Sequence, residues 1–477
     1  MSPLVKITLA YIAGLILPYY LVPGIATWTH AWWAPWVLVL TASALIAAVL
    51  RESRVTSVLF VLLGACAGGA ARNRSDADCR SRLQHNTQVR FAGQPASLPG
   101  EDGGFTFVLS AATARGMPSA PGVMQCVGLV RAKLPPGAAR SLRDGRTLIG
   151  SGVWMSYESR TRLPVVPERR GMLIMRSVAA APSSIPVSRS LRMRTHAQEV
   201  LRVTLKQSGL AEALVLAQRE GVDREVNAQF AATGMSHLLS ISGTHVGLVA
   251  ALLLGFAAFL RVGGHMGRVG ATIGVVAYVA FLGAPAAAAR SAIQVILLLA
   301  GRMLQRPSDP YSVLAAAALW LIVTQPLNLL DAGFQLSFAG VIGLIAYRRR
   351  VAERLPRVMP TWLRDGIAAS VAASGVTIPI AAMHFGQVAP IGVPASIIAV
   401  PLVGLALPAV ALILLVATVS MPAAHFLGAG ADVLLGLVAA VADVAMRTPG
   451  GHAPLSWSSL LALLIISAGG VLVLAHK

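Results

Sequence analysis

Acidic side chains are scarce in this chain: 19 Asp and Glu stand against 39 Lys and Arg, so the formal charge is +20. Charged residues of both signs make up only 12% of the 477 residues, where an ordinary soluble domain carries about 25%. With 56% hydrophobic residues and a mean hydropathy of +0.70, that shortage excludes a disordered chain and an ordinary soluble enzyme. Cysteine is limited to three residues, which excludes a Cys-rich zinc module and a dense disulfide scaffold. No G-x-x-x-x-G-K-[ST] string occurs, so ATP hydrolysis by a P-loop is not expected. What remains is a basic polytopic membrane protein. Its excess charge calls for an anionic partner, either lipid head groups or nucleic acid.

About 20 apolar residues cross a bilayer as a helix. Leu4–Val22, Trp32–Leu50 and Val55–Ala71 each qualify. Lys6 before the first run would also suit a signal peptide, but two further spans follow at once and no cleavage site followed by a soluble chain is evident. Residues 72–200 differ. From Arg72 to Arg194 there are 19 Lys and Arg against 7 Asp and Glu. Short β-rich runs, such as Gln88–Phe91, Phe105–Leu109, Val123–Val130 and Gly152–Tyr157, alternate with Gly/Pro turns, which predicts a small all-β barrel or sandwich. Residues 201–236 read as an amphipathic helical connector. Residues 237–477 are again apolar, with spans near 237–260, 269–284, 286–304, 311–325, 333–347, 366–383, 388–419, 425–446 and 457–475. Prolines 390, 394, 401 and 408 interrupt the run 388–419, which reads either as a broken helix beside a cavity or as kinks in a packed bundle.

Orientation follows from the short loops. The stretch 24–31 carries no Lys or Arg, whereas Arg51–Arg54 carries two Arg and Tyr347–Arg357 is strongly basic. Basic loops stay in the cytoplasm, so the N-terminus is inside and residues 72–200 are exported. Long domains cross regardless of charge, so the basic exported domain is either a binding surface or merely solubilising. Cys79 and Cys126 fall in that domain and form a disulfide candidate, worth about 3–4 kcal/mol for so long a loop. Cys66 lies in the third span and reads as a small buried hydrophobe.

Three strings put polar groups inside apolar spans, where they are costly and face a partner or a cavity. The first is His237-Leu-Leu-Ser240-Ile-Ser242-Gly243-Thr-His245-Val-Gly. The second runs from Pro285 through Arg290-Ser291 to Gln294, with Arg290 and Gln294 on one helix face. The third is Asp331-Ala-Gly-Phe-Gln335-Leu-Ser337-Phe, with Asp331 and Gln335 expected to share a face. Asp331 is a plausible counter-ion for Arg290. The two then form either a buried ion pair that fixes helix register or, for Arg290, a pore cation.

With Asp309-Pro310 and His384-Phe385 added, these strings resemble the ComEC competence family, inner-membrane DNA-uptake channels. Thr244 replaces the family's usual Leu, and Pro394 or Ser396 stands near a usual Asn. The resemblance covers about 210–450 strongly and 1–200 more loosely. It implies a polytopic α-helical membrane protein with an inserted OB-like exported domain, in the bacterial inner membrane. The implied role is passage of single-stranded DNA into the cytoplasm during natural transformation, with no cofactor. Long members end in a metallo-β-lactamase-like domain bearing H-x-H-x-D-H. That string is absent here, so no nuclease activity is expected, and the chain reads as a short form. Implied partners are membrane lipid, a DNA receptor, a cytoplasmic motor, strand-binding proteins, a separate nuclease and a second copy of the chain.

On that reading Arg290 is the pore candidate, with Ser240, Ser242, Gln294, Gln335 and Ser337 lining a polar path. The DNA-binding face of the exported domain would draw on Arg143, Arg146, Arg160, Arg162, Arg169 and Arg170, by attraction to phosphates. Its aromatics Phe91, Phe105, Phe107, Trp154 and Tyr157 fit apolar-face positions and read as core more than as stacking platforms. Other functions fit less well. A small-molecule transporter suits proline-broken helices but not the basic exported domain. An intramembrane Ser/His hydrolase would use Ser242 and His384, but position 240 is Ser where that motif wants Gly. A metal site of His237, His245 and His384 lacks a neighbouring carboxylate on the same segment.

Overall fold

The computed structural model describes residues 3–20, 58–68 without 59 and 66, 83 and 85–95, 104–114, 128–135, 148–156 and 171–180. It then describes residues 189–448 without 220, 240–242, 284–285, 306–308 and 386, and finally 453–454. Cys79, Cys126, Ser240, Ser242, the six arginines proposed for the DNA-binding face and the span 457–475 lie outside the described residues.

Between the N-terminal helices and the helical bundle, five strands close into a barrel. They are β1 (Thr87–Pro95), β2 (Gly104–Ala114), β3 (Gly128–Lys133), β4 (Leu148–Ser156) and β5 (Gly171–Ala180), in the order β1-β2-β3-β5-β4. Every pairing is antiparallel except β3 with β5, which run parallel. The alternation along β1 places Val89 and Phe91 inside and Arg90 outside, as period-2 geometry requires. Bulges at Ala92/Gly93 and Ser151/Gly152 bend the strands that must curve round the barrel. Phe91, Phe105, Phe107 and Trp154 are all buried, and Phe107 packs edge-on against both Phe91 and Phe105. These four aromatics are therefore core, while Arg90, Arg131 and Arg176 face outward.

The helical part begins with α1 (Pro3–Tyr20). Gly64 and Gly68 bring the backbone of a second helical stretch against Tyr11 and Leu15, the close approach that small residues permit in membrane helices. Three helices follow the barrel: α2 (Arg189–Thr204), α3 (Ser208–Leu216) and α4 (Arg224–Ala232). The bundle then runs α5 (Gly243–Phe259), α6 (Gly264–Phe281), α7 (Ala286–Met303), α8 (Pro310–Thr324), a 3-10 turn (Pro326–Leu330), α9 (Ala332–Arg354), α10 (Thr361–Phe385), α11 (Gly392–Ala417) and α12 (Met421–Arg447). Among the described residues, α10, α11 and α12 are long and apolar enough to cross a membrane, and α5 and α8 are shorter apolar helices.

Helices α9 and α10 form an antiparallel pair: Gln335 meets His384, Gly340 meets Thr377 and Gly343 meets Ala372. At the far end of that hairpin, β6 (Gln387–Val388) pairs with β7 (Ala453–Pro454), which ties the end of α10 to the segment after α12. The basic turn between α9 and α10 lies at the opposite end, where Arg348 pairs with Asp365 at 3.3 Å.

The structure revises the expected elements in two places. The run 388–419 is not broken: α11 is one helix with Pro401 and Pro408 inside it. Pro394 sits in its first turn, where the missing N–H costs no bond, and Pro401 and Pro408 follow at intervals of two turns on the same face. The helix expected from 237 starts only at Gly243, because residues 233–239 form turns. The stretch 201–236 is helical in α2, α3 and α4, and it also packs into the bundle. Leu201, Leu205, Leu210–Leu216 and Phe230 join Ala399, Val403, Leu407, Leu435 and Val438 in the largest hydrophobic core. Likewise Tyr11, Leu15 and Leu63 share a core with Leu314, Leu321, Phe334 and Phe338, so the N-terminal helices pack on α8 and α9.

Candidate functional site

The N-terminal ends of α5, α7, α9 and α11 and the C-terminal end of α10 fall at one end of the bundle. The polar strings are concentrated there. Asp331 is not inside α9, as a shared face with Gln335 had suggested. It is the N-cap, with Oδ1 accepting the Phe334 N–H at 2.9 Å. A carboxylate here satisfies a free backbone donor and complements the positive end of the helix dipole. The next residue but one is Gly333, and its missing side chain matters. A Cβ there would lie 2.8 Å from Asp331 Oδ1 and 3.2 Å from Arg290 Nη2. The guanidinium and the carboxylate therefore flank the same backbone position. Arg290 comes from the second turn of α7 and is only 6% exposed.

The neighbours of this pair come from the other strings. Ser291, beside Arg290, packs under Gly243 at the start of α5, 3.6 Å from where a Cβ would stand. One turn along α7, Gln294 is half-buried, and its Nε2 finds no acceptor among the described residues. Gln335, one turn into α9, donates to the Leu329 carbonyl at 2.8 Å. That leaves its Oε1 facing His384 Nε2 at 2.8 Å, so the ring donates from Nε2. Ser337 is half-buried on the same helix. His245 is buried in α5, within electrostatic reach of His237, whose Nδ1 lies 3.2 Å from the Gly234 carbonyl. Among the described residues no group of three His, Cys, Asp or Glu could hold a metal ion.

Chemically the arrangement is a buried cation, its flanking carboxylate and a set of amide, hydroxyl and imidazole donors, gathered at one mouth of a helical bundle. Several of these groups bond one another, as Gln335 does with His384. Two of its members escaped sequence reading. Gly333 was seen only as part of a string, although a glycine between a capping Asp and an apolar helix signals a close approach. Ser291 was seen only beside Arg290.

The sequence also matches known proteins. Residues 214–477 match the family described as Competence protein. ComE operon protein 3 of Bacillus subtilis (strain 168) is 29% identical over 194 residues, which cover 41% of this chain and 24% of that protein. The match thus spans about a quarter of the length of that curated relative. No solved structure matches the chain. The family match takes in more than half of the residues and all three polar strings, and on that ground the chain belongs to the competence protein family.

Proposed function

We propose that this membrane protein is a channel that passes single-stranded DNA across the bacterial inner membrane during DNA uptake. The observation that carries the reading is the convergence of three strings, distant in sequence, on one end of the bundle around the buried Arg290. A cation held beside a carboxylate can attract a phosphate without binding it tightly, which is what a moving polyanion requires. On this reading the end bearing Arg290 faces outward, because the opposite end carries the basic turn Arg348–Arg357 and such turns stay in the cytoplasm. The barrel is then exported. Its closed five-stranded order with a parallel β3–β5 pair supports an OB-like fold, and such barrels hold single strands through basic grooves. Since Phe91, Phe105, Phe107 and Trp154 are core, phosphate attraction rather than base stacking would dominate. These 477 residues hold neither a P-loop string nor H-x-H-x-D-H, so the reading gives them neither a motor nor a strand-degrading role.

The test is import of labelled double-stranded DNA into the source cell with and without this gene, with external binding scored separately. Loss of import with binding retained is the expected result. Unchanged import in the deletion strain would overturn the proposal.

A further inference from the structure

The helix that follows the barrel is too polar for the depth it reaches. Two anchors fix that depth. Near its start, Arg194 is buried and donates through Nη1 to the Leu282 carbonyl at 3.2 Å, at the C-terminal end of α6. Gly283 makes room for this with a left-handed φ of +81°, since a Cβ there would meet the guanidinium at 3.0 Å. At its other end, the Lys206 and Gln207 backbone N–H groups donate to Asp432 at 3.0 and 2.9 Å, and the Thr204 carbonyl lies against Gly428. Asp432 caps α3 from another helix, for Gln207 offers that helix no side-chain cap. It also lies in the middle of α12, a membrane-crossing helix, about 16 Å from one end and about 22 Å from the other at the usual helical rise. With α12 crossing a membrane, the hairpin of α2 and α3 would be re-entrant, its tip at mid-depth.

One face of α2, with Ala197, Val200, Leu201 and Thr204, is packed in the core. The other face carries Arg192, Met193, His196, Glu199, Arg202 and Val203, all exposed, and the exposed Lys206 follows just past the end of the helix. Arg202 is held from the side by Glu212 of α3: its Nε donates to Oε1 at 2.8 Å, and Gln198 donates to Oε2 at 2.7 Å. Glu212 is 1% exposed, while the Arg202 side chain keeps 44% of its surface open. Charged groups at this depth cannot face lipid without a cost of about 2.5–3.5 kcal/mol each.

We propose that the exposed face of α2 lines a hydrated path from the Arg290 end of the bundle to mid-depth, and that Arg192, His196, Arg202 and Lys206 are successive contacts for a phosphodiester chain. Glu212 orients Arg202 and keeps that contact weak enough to release. The occupant rests on the DNA-channel reading; the hydration of the face does not.

The test uses the full chain in cells. Glu199→Cys and Lys206→Cys leave the Arg202–Glu212 pair intact. Val433→Cys, at the depth of Asp432 and exposed on α12, is the lipid-facing control. A small membrane-impermeant thiol reagent added outside should modify positions 199 and 206 above the background of the native cysteines, and leave 433 unmodified. Equal protection of 206 and 433 would overturn the hydrated path. The charge role is read separately with Arg192→Gln/Lys206→Gln and with Lys206→Glu, at matched protein abundance. DNA import should fall about tenfold or more, as expected where phosphate attraction dominates. Reagent access together with parental import in these variants would overturn the ladder of contacts. Should deletion of the gene itself spare DNA import, the channel reading fails while the labelling still decides the path.

Discussion

At the scale of single residues, charge and capping can be separated at Asp331. Its carboxylate both caps α9 and faces Arg290 across Gly333. Asp331→Ala removes both roles and should lower protein abundance, with about 0.5–2 kcal/mol lost from the cap alone. Asp331→Asn keeps a capping side chain and should restore abundance, which quantitative immunoblotting of membranes would show. Arg290→Ala, by contrast, should reduce DNA import at equal abundance. Normal import by that variant would remove Arg290 from the path. Gly333→Ala is a second residue-scale probe. Its Cβ would intrude between the carboxylate and the guanidinium, so overpacking should cost about 1–3 kcal/mol and lower the thermal midpoint of the detergent-solubilised protein. An unchanged midpoint would mean that the two charged groups can move apart freely.

At the scale of elements, the barrel and the bundle stand on different physics. The barrel buries four aromatics behind alternating strands and closes on itself, leaving no strand edge unpaired along its described ring. Phe107 is fully buried at the centre of the aromatic cluster. Phe107→Ala should cost about 3–5 kcal/mol and expose the barrel to limited proteolysis in membrane vesicles, with the helical fragments retained. A parental cleavage pattern would show that the barrel tolerates the cavity. The helices instead depend on close backbone approach at small residues and on caps borrowed from neighbours, such as Asp432 for α3 and Arg194 for the end of α6.

At the scale of the whole molecule, the orientation is the claim with most consequences. The proposed orientation would set the Arg290 end and the barrel on one side of the membrane and the Arg348–Arg357 turn on the other. Arg131→Cys on the barrel should react with an impermeant thiol reagent in intact cells, whereas Arg357→Cys should react only after permeabilisation. The reverse pattern would invert the direction of the path and remove the barrel from the DNA-receiving side.

By itself the sequence determined the membrane class, the β-rich insertion, the family strings and most helix positions. Each of these is written in local periodicity, composition or spacing, as in the Gln88–Phe91 alternation or the D-x-GFQLSF string. Only the tertiary structure decided that those strings meet at one end of the bundle, because the meeting depends on the starts of α5, α7 and α9 lying beside the end of α10. It also decided that Asp331 caps rather than belongs to α9, that the prolines of α11 lie within one continuous helix, and that residues 201–236 enter the core. The last could not be read locally. The polar face of α2 resembles that of any surface helix, and Asp432, more than two hundred residues away, holds its tip against the middle of α12.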